Sequence, residues 1–260
     1  MRKTNTFRIN NSTAQEPKES TPSKKMGLKQ RLFRWLTKLA VYFFVLSVGS
    51  VVFFKFVPIP FTITMIDRKL DAISDGTDSE INYNWRSYSK ISKEAGLAVV
   101  AAEDQLFPDH WGFDFESMGN AFSHNLKGKK IRGASTISQQ VAKNVFLWQS
   151  RSYIRKILEV YFTVLIEAIW GKERILEVYL NVAEMGKMTF GVEAAAQKFY
   201  GKSAKNLTRN ESARIAAVLP SPNKWSITNP GNYVTRRTAQ IARQMRALGG
   251  VNYLDHLRSF

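Results

Sequence analysis

The sequence predicts a mainly α-helical protein that carries one membrane-length segment, and three observations lead to that class. Capped segments place apolar residues every three or four positions, long alternating strand patterns are missing, and one uncharged run lies near the N-terminus. No period of 20 to 50 residues appears, so a solenoid is excluded. With 260 residues and 44% hydrophobic content, the chain can bury one substantial core: a domain of about 200 residues behind an N-terminal extension.

Residues 1–35 form a basic tail, polar in its first 25 positions with Asn, Ser, Thr, Pro and Lys, and read as lacking fixed structure. Residues 36–60 form the anchor. Leu39 to Phe54 holds 16 residues without charge, and Lys55 can snorkel to the interface while F-V-P-I-P-F extends the apolar span beyond 20. A cleavable leader is the alternative, but no convincing A-x-A site follows the run. Lys24, Lys25, Lys29, Arg31, Arg34 and Lys38 precede the span, so the tail is expected in the cytoplasm and residues 61–260 across the membrane.

The formal charge is +17, with ten Lys or Arg against two Glu in residues 1–38. From residue 56 onward there are 27 basic and 19 acidic residues, a balance that suits an anionic partner. The topology argues against nucleic acid and leaves lipid headgroups, teichoic-type polymers or a phosphorylated substrate. Zero cysteines exclude disulfides, thiolate zinc sites and cysteine nucleophiles.

The helices follow in order. Asp114 can cap one running to about Leu126, and Ser135 or Thr136 one to about Leu147. Ser152 opens the strongest: Ile154, Ile157, Leu158, Tyr161, Phe162, Leu165, Ile166 and Ile169 make one expected buried stripe before Gly171. Lys172 to Val182 and Gly191 to Tyr200 come next. Thr208 to Glu211 is a capping box for a helix that Pro220 ends, and Tyr233 to Leu248 closes with Gly249. Residues 61–91, with the K-G-K-K-I-R-G stretch at 127–133, are candidates for docking on the bilayer.

Glu103 stands at the end of an apolar run with Leu97 and Val100 on its face, so burial would raise its pKa toward general acid or base work. A helix-end ion pair is the plainer reading. His110, between Pro108 and Gly112, suits a loop-fixing hydrogen bond better than metal ligation, and no H-E-x-x-H spacing points to zinc. Gly133 to Asn144 puts Ser135 and Thr136 at a helix N-terminus, where free N–H groups favour an anion, followed by Gln139, Gln140, Lys143 and Asn144. An ordinary capped helix explains that segment equally well. Arg155 and Glu159 are spaced i, i+4, which on its own reads as a solvated salt bridge, although Arg151 and Lys156 crowd the same carboxylate. Ser87 to Lys90 and Ser221 to Lys224 match S-x-x-K, but no K-T-G accompanies them.

Together these motifs resemble one family. E-D-Q-L-F-P-D-H-W-G (103–112) is similar to its E-D-x-x-F-x-x-H-x-G, and G-A-S-T-I-S-Q-Q (133–140) with Lys143-Asn144 to its second motif. R-K-x-x-E (155–159) and R-I-L-E-V-Y-L-N (174–181) resemble its third and fourth, in the same order across residues 95–225. The family is the peptidoglycan glycosyltransferases, and the anchor and length resemble its stand-alone, monofunctional branch. After Y-L-N the chain reads V-A-E-M-G-K-M-T-F-G, which departs from the fused enzymes and leaves Glu184 without an assigned role.

The resemblance implies a lysozyme-like glycosyltransferase domain with a small membrane-proximal lobe, in the bacterial inner membrane, with lipid II and the growing glycan chain as substrates. It implies Glu103 as general base and Glu159 as the second catalytic carboxylate. Asp104, Phe107, His110, Ser135, Thr136, Gln140, Lys143, Asn144, Arg151, Arg155 and Lys156 would bind substrate or support the site. Lys143 and Arg151 lead as cations for the departing diphosphate. No cofactor is required by the sequence; Mg or Mn assistance and contacts with cell-wall synthesis proteins come with the resemblance. Two rivals stay open: a glycan-cleaving enzyme on the same fold, and a membrane-anchored scaffold without activity.

Overall fold

The computed structural model describes residues 27–126, 135–150 and 152–257. Most of the expected tail, the 127–133 basic stretch and Arg151 lie outside the described residues. The chain divides into two compact units, Met1–Val45 and Leu46–Phe260, and the boundary falls inside the first helix.

That helix, α1 (Leu28–Phe56), has 29 residues and is long and apolar enough to cross a membrane. It starts eight positions before the expected anchor, so Lys29, Arg31, Arg34 and Lys38 ride on its first turns. Long basic side chains are good helix formers, and the charge alone was no reason to end the helix there. Within the second unit, the last turns of α1 are tied to the domain. Trp170 donates its indole N–H to the Val51 carbonyl at 2.6 Å, and Arg174 donates to the Phe54 and Val57 carbonyls at 2.7 Å each. The bond to Phe54 satisfies a carbonyl that the helix end leaves without an intrahelical partner.

Next come α2 (Ile63–Ser74), capped by Thr62, and α3 (Lys93–Glu103), capped by Ser92. Ala95 to Ala101 are all buried, which explains why the run G-L-A-V-V-A-A shows no polar face. The expected capped helices follow as α4 (Phe115–Leu126), α5 (Ile137–Phe146), α6 (Tyr153–Ile169) and α7 (Lys172–Val182), then α8 (Val192–Tyr200), α9 (Arg209–Val218) and α10 (Asn232–Ala247). Thr136 and Thr208 both close full capping boxes, and Gly201 ends α8 in the left-handed conformation. The mainly helical class therefore holds.

Packing forms two groups around the site. The buried α3 contacts α9, α10 and the short 3-10 helix Gly250–His256, while α5 contacts α2, α6 and α7. A small sheet escaped the sequence reading: β1 (Asn82–Tyr83), β2 (Glu184–Gly186) and β3 (Thr189–Phe190), in the order β1-β3-β2. β1 runs parallel to β3, and β2 pairs with β3 antiparallel through an irregular register. Strands of two or three residues leave no alternation to detect.

One expectation about α6 needs correction. Ile154 and Ile157, assigned to a buried stripe, are each 69% exposed, and the buried strip is Glu159, Phe162, Thr163, Ile166 and Glu167. Two carboxylates on that strip serve the site, so the protein-facing side is rotated away from the most apolar one. Tyr153, Val160 and Val164 extend the exposed apolar side of α6, and Ile63, Ile66, Leu70 and Ile73 do the same for α2.

Candidate active site

A cavity of about 740 Å³ opens where the C-terminal end of α3, the start of α5, α4 and α10 meet; Glu103, Asp104, Ser117, Asn120, Ser135, Thr136, Gln140 and Arg237 are among its lining residues. Glu103 is the last residue of α3, so its carboxylate leaves the core where the buried helix reaches the cavity edge. Its Oε2 accepts a hydrogen bond from Gln140 Nε2 at 3.0 Å. Tyr179 in turn donates its hydroxyl to Gln140 Oε1 at 3.2 Å, which fixes the amide with its NH2 toward Glu103. Burial pushes the Glu103 carboxyl above its ordinary value, and the Gln140 hydrogen bond with the charges of Arg237 and Lys143 opposes that rise. The result is a carboxylate more basic than one in water, yet still stabilised in its ionised form.

Asp104 has a separate task. It caps α3 outside helical geometry, with φ −161° and ψ 81°. One oxygen accepts from the Ile137 backbone N–H at 2.9 Å, and the carboxylate holds His110 Nε2 at 2.9 and 3.1 Å. Thr136 N–H goes to Gln139 Oε1 and Gln139 N–H to Thr136 Oγ1. Of the two readings of this segment, the capped helix holds for these donors: the anion at the N-terminus of α5 is the protein's own Asp104. Thr136 Oγ1 also donates to the Gly112 carbonyl at 2.7 Å, locking the turn after Glu103 to α5. Gly112 has φ +79°, and a Cβ there would lie 2.8 Å from Thr163 Cγ2, so only glycine fits without strain.

Phe107 is fully buried, with Lys172 Nζ 4.6 Å from its ring centre and His110 edge-on to it. Its place is beneath the turn rather than on the cavity wall, so the expectation that it binds substrate gives way to a packing role. His110 likewise sits behind the wall, held by Asp104. Lys172 and Ser138 both donate to the buried Glu167, a pair on α6 and α7 that no sequence signal singled out.

The second carboxylate, Glu159, is 3% exposed, which removes the solvated salt-bridge reading. Arg155 Nη1 reaches its Oε2 at 2.6 Å and Lys156 Nζ bonds Oε1, so both oxygens are occupied by cations. Lys143, from α5, lies within reach of this group. Burial lowers its pKa, the Glu159 carboxylate raises it again, and the Arg155, Lys156 and Arg68 charges push it down. Lys143 also acts on Glu103, so its charge links the two carboxylates. Asn144 is half-buried beside it on the same helix.

Of the expected residues, Glu103, Asp104, Ser135, Thr136 and Gln140 line the cavity, and Lys143, Arg155, Lys156 and Glu159 form a neighbouring basic cluster, with Asn144 next to Lys143 along α5. Sequence reasoning missed Arg237, whose Nη2 donates to the Ala102 carbonyl at 2.9 Å and which lines the same cavity. It also passed over Tyr179 inside a motif it had quoted. Among the described residues no group of three His, Cys, Asp or Glu gathers as metal ligands, and the Glu159 oxygens are taken. The arrangement does not fit a built divalent-ion centre.

Fold and site together define a helical domain with a polar cavity lined by Glu103, Asp104 and Asp114, of which Glu103 has its carboxyl pushed up by burial. The transglycosylase family model matches residues 69–246, and the chain belongs to that family. It is 49% identical to the biosynthetic peptidoglycan transglycosylase of Pseudomonas fluorescens over 226 residues, 87% of this chain and 94% of that protein. Proteins of the same name from Xanthomonas oryzae and Pseudomonas aeruginosa are 49% identical over 240 and 226 residues, covering 92% and 87% of this chain and 96% and 97% of theirs.

Proposed function

We propose that the protein is a peptidoglycan glycosyltransferase that polymerises lipid II into linear β-1,4 glycan strands. Glu103 takes the proton from the acceptor sugar's 4-hydroxyl while that oxygen attacks the anomeric carbon of the growing chain. Attack on an α-linked diphosphate with inversion gives the β link, and undecaprenyl diphosphate departs. Lys143 carries the developing diphosphate charge, with Arg155 and Lys156 held in place by Glu159. The observation that carries this reading is the raised Glu103 carboxylate in an open polar cavity, beside a cation cluster suited to a diphosphate.

The anchor helix supports work on a lipid-linked substrate, and the exposed apolar sides of α2 and α6 suit contact with a bilayer. Lys29, Arg31, Arg34 and Lys38 at the start of α1 favour a cytoplasmic N-terminus and a catalytic domain on the outer face of the inner membrane. Cell-wall synthesis proteins belong to the same reading as partners. Incubating the detergent-solubilised protein with lipid II tests it: long glycan with free undecaprenyl diphosphate is expected, and cleavage of preformed glycan without polymer would overturn it.

A further inference from the structure

Between Glu211 and Asp255 the chain has no acidic residue and six basic ones, Arg214, Lys224, Arg236, Arg237, Arg243 and Arg246. Four of these are on α10. Arg236 and Arg243 are exposed, and Tyr233, Arg236, Gln240 and Arg243 line a hollow of about 440 Å³ on that helix. Arg237 lines this hollow and the Glu103 cavity alike, so the two adjoin at that side chain. At the other end, Tyr233 is 42% exposed and stacks on Trp225 with ring centres 4.2 Å apart, a flat apolar rim beside the cations.

We infer that this trough binds the carboxylate-bearing peptide arm of the glycan substrate while the sugar occupies the catalytic cavity. The inference rests on the glycosyl-transfer reading above. Arg236 and Arg243 are seven residues apart, about 10 Å along a helix, which is the length of roughly three residues of extended peptide. Two guanidiniums carried at that spacing match two carboxylates on one short chain. Adjacency to the cavity across Arg237 favours an arm of the reacting molecule over a separate anion. Because both arginines are exposed, they set selectivity more than total affinity, and salt should screen them.

The test compares lipid II carrying free peptide carboxylates with the same lipid amidated at those groups, using the full chain in detergent. Wild type should favour the carboxylate form by about fivefold in kcat/KM, carried in KM and lost at high salt. The double variant Arg236→Gln, Arg243→Gln should use both lipids equally while keeping wild-type activity on the amidated one. A preference that persists in the variant overturns the inference, as does its absence in wild type. If the variant instead loses binding to anionic vesicles with its preference intact, the trough serves headgroups and the inference also fails. Wild type that polymerises neither lipid overturns the underlying function, a failure separable from the other three.

Discussion

Gln140 donates its side-chain amide to Glu103 at 3.0 Å, and Tyr179 holds the other end of that amide at 3.2 Å. Three motifs far apart in sequence thus converge on one carboxylate. Burial raises its basicity, and the amide keeps it ionised, two opposed influences that a general base needs in balance.

The sign of the Gln140 effect gives the first prediction. Its hydrogen bond lowers the Glu103 pKa, so Gln140→Leu should raise it, and the base must be ionised to act. The acid limb of the kcat/KM profile should move to higher pH, with the plateau above it retained. Tyr179→Phe should move it the same way by less. A profile that stays in place or shifts downward in Gln140→Leu would remove the amide from control of Glu103.

Asp104 is predicted to act through structure. Asp104→Ala deletes the carboxylate that holds both Ile137 N–H and His110, leaving a buried helix end and a buried ring without a partner. The expected cost is about 2 to 4 kcal/mol, read as a lowered unfolding midpoint in detergent, with activity falling because α5 carries Gln140. Unchanged stability in that variant would mean that α5 is capped without it.

Lys143 separates charge from bulk. Lys143→Ala should lower kcat/KM on lipid II by about 100-fold, and Lys143→Arg should recover part of the loss, because a preorganised cation near the leaving group is what is removed. Steady-state rates on both variants check it, and wild-type rates for Lys143→Ala would exclude this lysine from diphosphate handling.

How far the sequence carried depended on how local each cause was. Thr136 and Thr208 announce their helices because a capping box is written in four adjacent residues. Glu103 stood out because charge rarely ends a run such as A-V-V-A-A. Asp104 looked like its twin, and only the approach of Ile137, 33 residues on, shows that it fills the helix end for which a phosphate was one of two readings. The α6 stripe misled because the apolar pattern reports every hydrophobic position and does not say which side meets protein; Ile154 and Ile157 face outward while Glu159 and Glu167 face in. Arg237 and Tyr179 join the site through long-range packing that no short window contains.

The central claim is that Glu103 is the base for chain extension, and a single substitution tests it most directly. Glu103→Gln keeps shape and the contact with Gln140 while removing the charge, and it relieves the cost of a buried carboxylate, so stability should hold or rise. Measured side by side on lipid II, wild type should make long glycan and free undecaprenyl diphosphate. The variant should still bind lipid II but polymerise it at least about 100-fold more slowly. Polymerisation by Glu103→Gln at the wild-type rate would contradict the account.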